Sequence, residues 1–333
     1  MVICCLFLEI MEKYLSTFGH NRFRSKVQKD ACEAVLRKDR DVFVRLPTGS
    51  GKSLVYQLPA IAGHGVTIVI SPLVALMTDQ VQKLQQKGVK AELLNSKMKK
   101  EKYDGIIQDL RGANPSIKLL YITPERCEND TFKSTLAHMV KNKQIERIAV
   151  DEAHTVVEWG ATFRASYKNL AELRDLTGDI KWVALTATAS PKMEQLIVES
   201  LQFAEDYESI KIPVFRENLF YDVIFKQSEE SDLNSLADFA KEKGGSGIIY
   251  CRTRQSTEAV AIEMNARGLL SKAYHGGLKV CNKVQTRPSY LRKMCYYENS
   301  SLFFTQISNC RNLNATTFKM SGWMGQFLSL LLP

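Results

Sequence analysis

Short runs of continuous apolar residues recur through the first two thirds of the chain. Each ends at a polar or glycine-bearing turn and is followed by a helical stretch. Asp41–Leu46 leads into a glycine loop and a helix after Lys52. Val66–Ile70 leads into Ser71-Pro72 and a helix over Leu76–Gln86. Lys118–Ile122 precedes Thr123-Pro124-Glu125, Ile148–Val150 precedes Asp151-Glu152-Ala153-His154, and Trp182–Leu185 precedes Thr186-Ala187-Thr188. Strands apolar at every position, rather than at alternate ones, are buried on both faces. Their alternation with helices predicts an α/β fold: a parallel sheet with helices on both sides. In such sheets ligands sit beyond the carboxyl ends of the strands, so all of these turns should gather on one edge.

Helical spacing of Ile10, Tyr14, Leu15 and Phe18 predicts a helix over Glu9–Phe18. Ala31, Val35 and Leu36 predict another over Gln28–Leu36. A boundary falls near Lys211–Tyr221, where Pro213 interrupts a mixed stretch. Beyond it the pattern predicts a helix over Asp232–Glu242, a strand over Gly247–Cys251, a helix over Ser256–Arg267, a strand from Lys272 to Tyr274 and a turn at Gly276-Gly277. After Lys279 the alternation is lost, Asn and Ser become frequent, and the chain closes on the apolar stub Phe327–Leu332.

The loop Pro47-Thr48-Gly49-Ser50-Gly51-Lys52-Ser53 stands between a strand and a helix. Glycines there let backbone N–H groups turn inward around phosphate oxygens, and the helix N-terminus adds positive potential. Lys52 would reach the β- and γ-phosphates of a nucleotide, and the Ser53 hydroxyl would ligate Mg²⁺. The strict pattern has glycine where Leu46 stands, so this is the relaxed form of the loop. The pair Asp151-Glu152 ends a strand, with Asp151 suited to the metal ion and Glu152 to orienting the attacking water. His154 reads either as a structural histidine or as a link between the nucleotide and the rest of a motor. The hydroxyls of Thr186 and Thr188 could bond the acidic pair. Trp159, Phe163 and Tyr167, with Arg164 and Lys168 among them, repeat every four residues. On spacing alone that is the buried side of a helix, while aromatics interleaved with cations also suit a single nucleic-acid strand.

Composition narrows the classes. The chain has 333 residues, 45% of them hydrophobic and 24% charged, enough to bury a core and unlike a disordered tail. Its net charge is +9, which suits a polyanionic partner. The excess is uneven: Lys283, Arg287, Arg292, Lys293, Arg311 and Lys319 stand against Glu298 alone beyond Val280. The cysteines form no C-x-x-C pair and no zinc-ligand spacing with histidine, so no zinc site and a reducing compartment are expected. Met1–Ile10 is apolar but short, without a basic flank or cleavage site, so neither a signal peptide nor a membrane anchor is expected. The cluster Lys97–Lys102 reads as a solvated helix face.

Taken in order, these motifs resemble the RecQ family of DNA helicases over about Phe18–Lys279. Phe18-Gly19, Phe23-Arg24 and Gln28 look like the family's adenine-recognition segment. The four-residue step from Arg24 to Gln28 is like the subfamily numbered five. Leu46–Ser53, Ser71–Leu73 with Asp79-Gln80, Tyr121–Glu125, Asp151–His154 and Leu185–Ala189 resemble successive helicase motifs of the first lobe. Asn218–Val223, Ile249–Arg254 and Ala273–Leu278 resemble segments of the second. The resemblance implies a RecA-like first lobe at 18–210, a partial second RecA-like lobe at 211–279, an N-terminal extension at 1–17 and a tail without resemblance at 280–333. It implies ATP held by Arg24, Gln28, Thr48, Gly49, Ser50, Gly51, Lys52, Ser53 and Asp151, with Lys52, Asp151 and Glu152 catalytic and Mg²⁺ at Ser53 and Asp151. It implies single-stranded or forked DNA at Trp159, Phe163, Arg164, Thr253 and Arg254, 3′-to-5′ translocation, a role in recombination and repair, and a nuclear location.

Two departures are visible. The family's aromatic loop reads Trp-Gly-His-Asp-Phe-Arg-Pro-x-Tyr. Here Ala161-Thr162 replaces the His-Asp pair, Ala165 replaces the proline, and Glu158 stands where glutamine is usual. Beyond Lys279 nothing resembles the family's fifth and sixth motifs, whose arginine reaches the γ-phosphate. Val280–Pro333 reads as sequence appended past an exon end. The expected consequence is an impaired motor. The competing classes are an ATP- or DNA-binding form without motor action and, opposed by the Trp159–Tyr167 aromatics, an RNA helicase.

Overall fold

The computed structural model describes residues 14–95, 98–158, 170–213, 219–225, 227–244, 246–275 and 277, together with the backbone of strands at 301–306, 316–322 and 328–332. Expectations for the first part of the Glu9–Phe18 helix, for Ser96 and Lys97, for Gly276 and for the loop Trp159–Tyr167 fall outside these residues. The chain divides into two units, Met1–Val214 and Phe215–Pro333.

In the first unit the strands β1 (Val42–Arg45), β2 (Val66–Ile70), β3 (Ala91–Leu94), β4 (Leu119–Ile122), β5 (Ile145–Asp151), β6 (Trp182–Thr186) and β7 (Glu208–Lys211) form one sheet in the order β3-β4-β2-β5-β6-β1-β7. Every pairing is parallel. Its helices are α1 (Lys26–Arg37), α2 (Lys52–Ala62), α3 (Val74–Gln86), α4 (Lys100–Arg111), α5 (Pro124–Cys127), α6 (Asp130–Lys141), α7 (Thr155–Glu158) and α8 (Pro191–Ser200). Residues 170–177 are also helical.

Alternate residues of each strand divide between two cores, as the two-residue period of a strand requires. Val42, Val44, Val69, Tyr121, Ala149, Val183 and Leu185 pack with α1, α2 and α3 on one face. Phe43, Ile68, Ile70, Ile148, Val150, Trp182 and Ala184 pack with α4, α6, α8 and the 170–177 helix on the other. The central strands β2 and β6 are buried at all positions. Local signals set the helix starts: Ser25, Asn129 and Ser190 each accept a backbone N–H of the first turn with their side chains.

The expected helix over Gln28–Leu36 begins two residues earlier, at Lys26 after the Ser25 cap, and that over Leu76–Gln86 begins at Val74. The sequence pattern did not foretell β3 and β7. Both are edge strands, and their residues Ala-Glu-Leu-Leu and Glu-Ser-Ile-Lys carry polar side chains where a central strand would carry apolar ones.

Polar anchors lie at the amino ends of the strands. Asp41, 1% exposed, accepts both Arg174 guanidinium nitrogens at 3.1 and 2.6 Å and the Trp182 amide at 2.7 Å. It thus ties β1, β6 and the 170–177 helix together. Arg147 of β5, 2% exposed, donates to the Val35 carbonyl near the end of α1, and burial pushes its guanidinium down to about 10.

The second unit has α9 (Glu229–Lys243), α10 (Arg254–Ala266) and strands β8 (Leu219–Phe225), β9 (Ser246–Cys251), β10 (Ser271–Tyr274), β11 (Ser301–Gln306), β12 (Thr316–Gly322) and β13 (Leu328–Leu332). Leu233 and Ala237 of α9 pack with Ile249, Cys251, Val260, Met264 and Leu269. The sheet order is β10-β11-β9-β13-β12-β8. In this sheet β11 and β13 run antiparallel to β9, and β12 runs parallel to β8. Leu328–Leu332 of the apolar stub forms β13, so with β11 and β12 the stretch after Lys279 contributes three strands.

Replacing Asp41 by Ala strands a buried guanidinium and the Trp182 amide. The expected loss is about 3–5 kcal/mol of unfolding free energy in the first unit, read as a lower urea midpoint by far-ultraviolet circular dichroism. An unchanged midpoint would show that the anchor carries no net stability.

Candidate functional site

Because the sheet of the first unit is parallel, the segments leaving β1, β5 and β6 emerge on one edge, and the order β5-β6-β1 sets them side by side. The β1 segment is the glycine loop. Gly49 and Gly51 have φ of +87° and +83°, the left-handed region that glycine enters without steric cost. Gly51 also admits a close neighbour, since a Cβ there would lie 2.2 Å from Gln28 Nε2. Helix α2 starts at Lys52 with no side-chain cap, leaving its first N–H groups directed at the loop.

Arg24 and Gln28 hold the loop from the side. Gln28 Nε2 donates to the Gly51 carbonyl at 3.1 Å, the Arg24 guanidinium donates to the Gly49 carbonyl, and the Arg24 amide donates to Gln28 Oε1 at 2.8 Å. Ser50 Oγ donates to the Pro47 carbonyl at 2.6 Å. Seven of the residues expected at a nucleotide, Arg24, Gln28 and Thr48–Lys52, therefore form one structure around the loop.

The β5 segment brings the acidic pair. Glu152 has φ +53°, a left-handed turn unusual for a side-chain-bearing residue. It bends the chain so that consecutive carboxyls, which a strand would send to opposite faces, both come near Lys52. The Lys52 ammonium lies 3.5 Å from Glu152 Oε1, with both side chains largely buried. Asp151 Oδ1 accepts the Glu152 amide at 3.0 Å, and Tyr56 Oη lies 3.3 Å from Asp151 Oδ2. Burial first, then the Glu152 charge, raise the Asp151 carboxyl to about 6, against the opposing pull of Lys52 and these two hydrogen bonds.

The β6 segment joins them. Thr186, fully buried, has its hydroxyl 2.9 Å from His154 Nδ1 and donating to the Thr188 carbonyl at 3.0 Å. The Leu46 amide, just before the loop, donates to the Thr186 carbonyl at 3.1 Å. His154 Nδ1 also lies 3.5 Å from Glu152 Oε2.

Beneath this surface lies a buried polar cluster that joins Gln80 and Tyr121, both within motifs read from the sequence, to Tyr56 and Gln57, which no motif singled out. Gln80 of α3 accepts the Tyr56 hydroxyl proton at 2.6 Å through Oε1 and donates to Ser53 Oγ at 3.2 Å through Nε2. Gln57 Nε2 donates to Tyr121 Oη at 2.9 Å. Tyr56, Gln57, Gln80 and Tyr121 are all buried. The available signal was Tyr56-Gln57 interrupting the apolar run Leu54–Ile61.

Thr253 and Arg254 lie in the second unit, exposed at the start of α10, where Thr253 Oγ1 accepts the Ser256 amide at 3.0 Å. Trp159, Phe163 and Arg164 lie outside the described residues. Among the described residues no three His, Cys, Asp or Glu cluster at metal-holding distance, and no helix is long and apolar enough to cross a membrane.

A glycine loop opening a helix, with an acidic pair two strands away on the carboxyl edge of a parallel sheet, defines a phosphate-loop fold of RecA type. The sequence pattern of the family described as DEAD/DEAH box helicase matches residues 25–196, more than half of the chain. The chain belongs to that family. It is 41% identical to ATP-dependent DNA helicase Q5 of Rattus norvegicus over 286 residues, covering 83% of this chain and 29% of that protein. It is 38% identical to RecQ-like DNA helicase BLM of Xenopus laevis over 277 residues, covering 83% of this chain and 20% of that protein. The resemblance to RecQ helicases read from the motifs is thus borne out, although the chain spans less than a third of these relatives' length. In structure it resembles the DUF1998 helicase MrfA bound to DNA and AMPPNP, with a TM-score of 0.60 at 17% identity over 78% of this chain and 38% of that one. That likeness concerns the fold.

The raised Asp151 carboxyl has a stability consequence. Between its ordinary value near 4 and about 6 the folded chain holds more protons than the unfolded one, so stability falls as pH rises through that window. Above about 6 the full cost of the buried charge is present. Asp151→Asn removes it, and the nucleotide-free variant is expected to melt higher than the unmodified chain at pH 7.5, with a smaller difference at pH 5. Equal differences at both pH values would remove Asp151 as the cause.

Proposed function

We propose that this chain carries the nucleotide-binding lobe, 18–210, and part of the second lobe, 211–279, of an ATP-dependent DNA helicase of the RecQ type. The observation that carries this reading is the pairing of Lys52 with Glu152 over the glycine loop, with Asp151 and Ser53 beside it. Arg24 and Gln28, fixed to the loop backbone, would recognise the adenine of ATP. Loop N–H groups and Lys52 would bind its phosphates, and Lys52 would stabilise charge as the γ-phosphate leaves. Glu152 would orient the attacking water and accept its proton, and His154 would pass the state of the site to Thr186.

The donor set fits Mg²⁺: a hydroxyl at Ser53 and a carboxylate at Asp151, both hard oxygen ligands, the second raised by burial and by the neighbouring Glu152 charge. Bound there, Mg²⁺ would neutralise phosphate charge. The partner would be single-stranded or forked DNA, contacted by Trp159, Phe163, Arg164, Thr253 and Arg254. Translocation would run 3′ to 5′, in recombination and repair, in the nucleus. The residue stretches 1–17 and 280–333 would be an extension and an appended tail.

A second reading is favoured by one observation. The strands β11 and β13 run antiparallel within the second sheet, where a RecA-like lobe is parallel. On this reading the chain binds ATP or DNA without motor action.

Steady-state ATP turnover by the purified chain, with and without single-stranded DNA, decides between them. On the helicase reading turnover rises with DNA, slow as an impaired motor requires, and falls further in Glu152→Gln. Turnover no higher than that of Glu152→Gln, with nucleotide still bound, would leave the second reading standing.

A further inference from the structure

Gln80 occupies a position that neither its exposure nor its helix explains. It lies on α3, outside the loop and the acidic pair, yet is 9% exposed and uses both ends of its amide. Its Nε2 donates to Ser53 Oγ at 3.2 Å. Its Oε1 accepts the Tyr56 hydroxyl at 2.6 Å and lies 3.4 Å from Gln57 Nε2. Tyr56 Oη is in turn 3.3 Å from Asp151 Oδ2. A continuous path of hydrogen-bonding atoms therefore runs from Ser53 through Gln80 and Tyr56 to Asp151.

The polarity of the path is fixed. An amide nitrogen only donates, so Ser53 Oγ receives a hydrogen bond from Gln80, and its own hydroxyl also bonds Tyr56. An amide oxygen only accepts, as does a carboxylate, so the single Tyr56 proton is shared between Gln80 Oε1 at 2.6 Å and Asp151 Oδ2 at 3.3 Å. The T-shaped contact of Tyr56 with Tyr121, centroids 6.4 Å apart, and the Gln57–Tyr121 bond at 2.9 Å hold Tyr56 in its rotamer.

We propose that Gln80 is a positioning residue for the metal-bearing nucleotide: by binding Ser53 directly and Asp151 through Tyr56, it sets the two oxygen ligands in advance at the spacing the ion requires. Partners behind a ligand orient it and tune the metal, and their removal typically costs about 10–100-fold in metal affinity. Because Gln80 sits on α3, any displacement of that helix would change the spacing of the ligands, so the affinity for the ion reports where α3 lies. The inference rests on the nucleotide site proposed above.

The test uses the full chain and a fluorescent, non-hydrolysable ATP analogue, titrated at a series of free Mg²⁺ concentrations and again in EDTA. In Gln80→Leu, of similar volume but without the amide, the Mg²⁺ concentration for half-maximal binding is expected to rise about tenfold or more, while affinity in EDTA stays unchanged. Tyr56→Phe, which keeps the ring packing, is expected to shift the same midpoint in the same direction. The double variant should shift it by less than the product of the two. An unshifted midpoint in either folded variant overturns the proposal, as does an equal loss of affinity with and without Mg²⁺, which marks a structural role. If Gln80→Leu does not fold, Tyr56→Phe decides alone. Failure of the unmodified chain to bind the analogue under any condition would instead overturn the nucleotide site itself.

Discussion

The carboxyl of Asp151, 4% exposed at the end of a buried strand, is the constraint around which the first unit is arranged. A charge taken out of water costs free energy unless nearby groups replace its hydration. Here Lys52, the Glu152 amide and the Tyr56 hydroxyl replace part of it, and the value near 6 measures how incompletely they do so. Under the proposed reading the same deficit would favour a cation there. For stability alone Asn or a hydrophobic residue would serve better here, so under the proposed reading this acid is a place where stability yields to binding.

That arrangement depends on strand order more than on any one contact. In the sequence, the glycine loop, the acidic pair and Thr186 are separated by about a hundred and thirty residues. Parallel strands that all point one way bring their exits to one edge, and the order β5-β6-β1 sets Thr186 between the other two. The bonds from His154 to the Thr186 hydroxyl and from Leu46 to the Thr186 carbonyl follow from that neighbourhood. Anchors such as Asp41 and Arg147 lie toward the opposite ends of the strands, so the sheet is tied where nothing needs to move.

How much of this was legible in the sequence depended on whether a residue type has one use or several. Continuous apolar runs have few alternatives to a doubly covered strand, and β1, β2, β5 and β6 were readable from them. Gly-Lys-Ser after a strand has few alternatives to a phosphate loop. Edge strands such as Ala91–Leu94 and Glu208–Lys211 carry the polar side chains of any surface loop, and only their partners identify them. The burial of Gln57 and Gln80 was not legible, because an amide is equally suited to water and to a buried network. Only the coordinates show each amide matched to named donors and acceptors. In the second unit the strands after residue 300 lacked the alternation of a one-sided sheet, and their pairing with β8, β9 and β10 came from the backbone alone.

The contacts of Glu152 suggest how the ligand-free site is kept ready. Its carboxylate bridges the Lys52 ammonium and His154 Nδ1, each at 3.5 Å, and its backbone holds a left-handed conformation that costs roughly 1–2 kcal/mol outside glycine. Under the proposed reading an entering polyphosphate competes with Glu152 for Lys52, because it carries the greater charge and meets the loop N–H groups as well. Glu152 then retains His154 as its nearest partner, and His154 is already bonded to the end of β6. The same displacement frees Glu152 to face the phosphate and loads the Thr186 contact. On that reading arrival of the nucleotide would reach the neighbouring strand through Glu152, His154 and Thr186, which already lie in sequence at 3.5 and 2.9 Å.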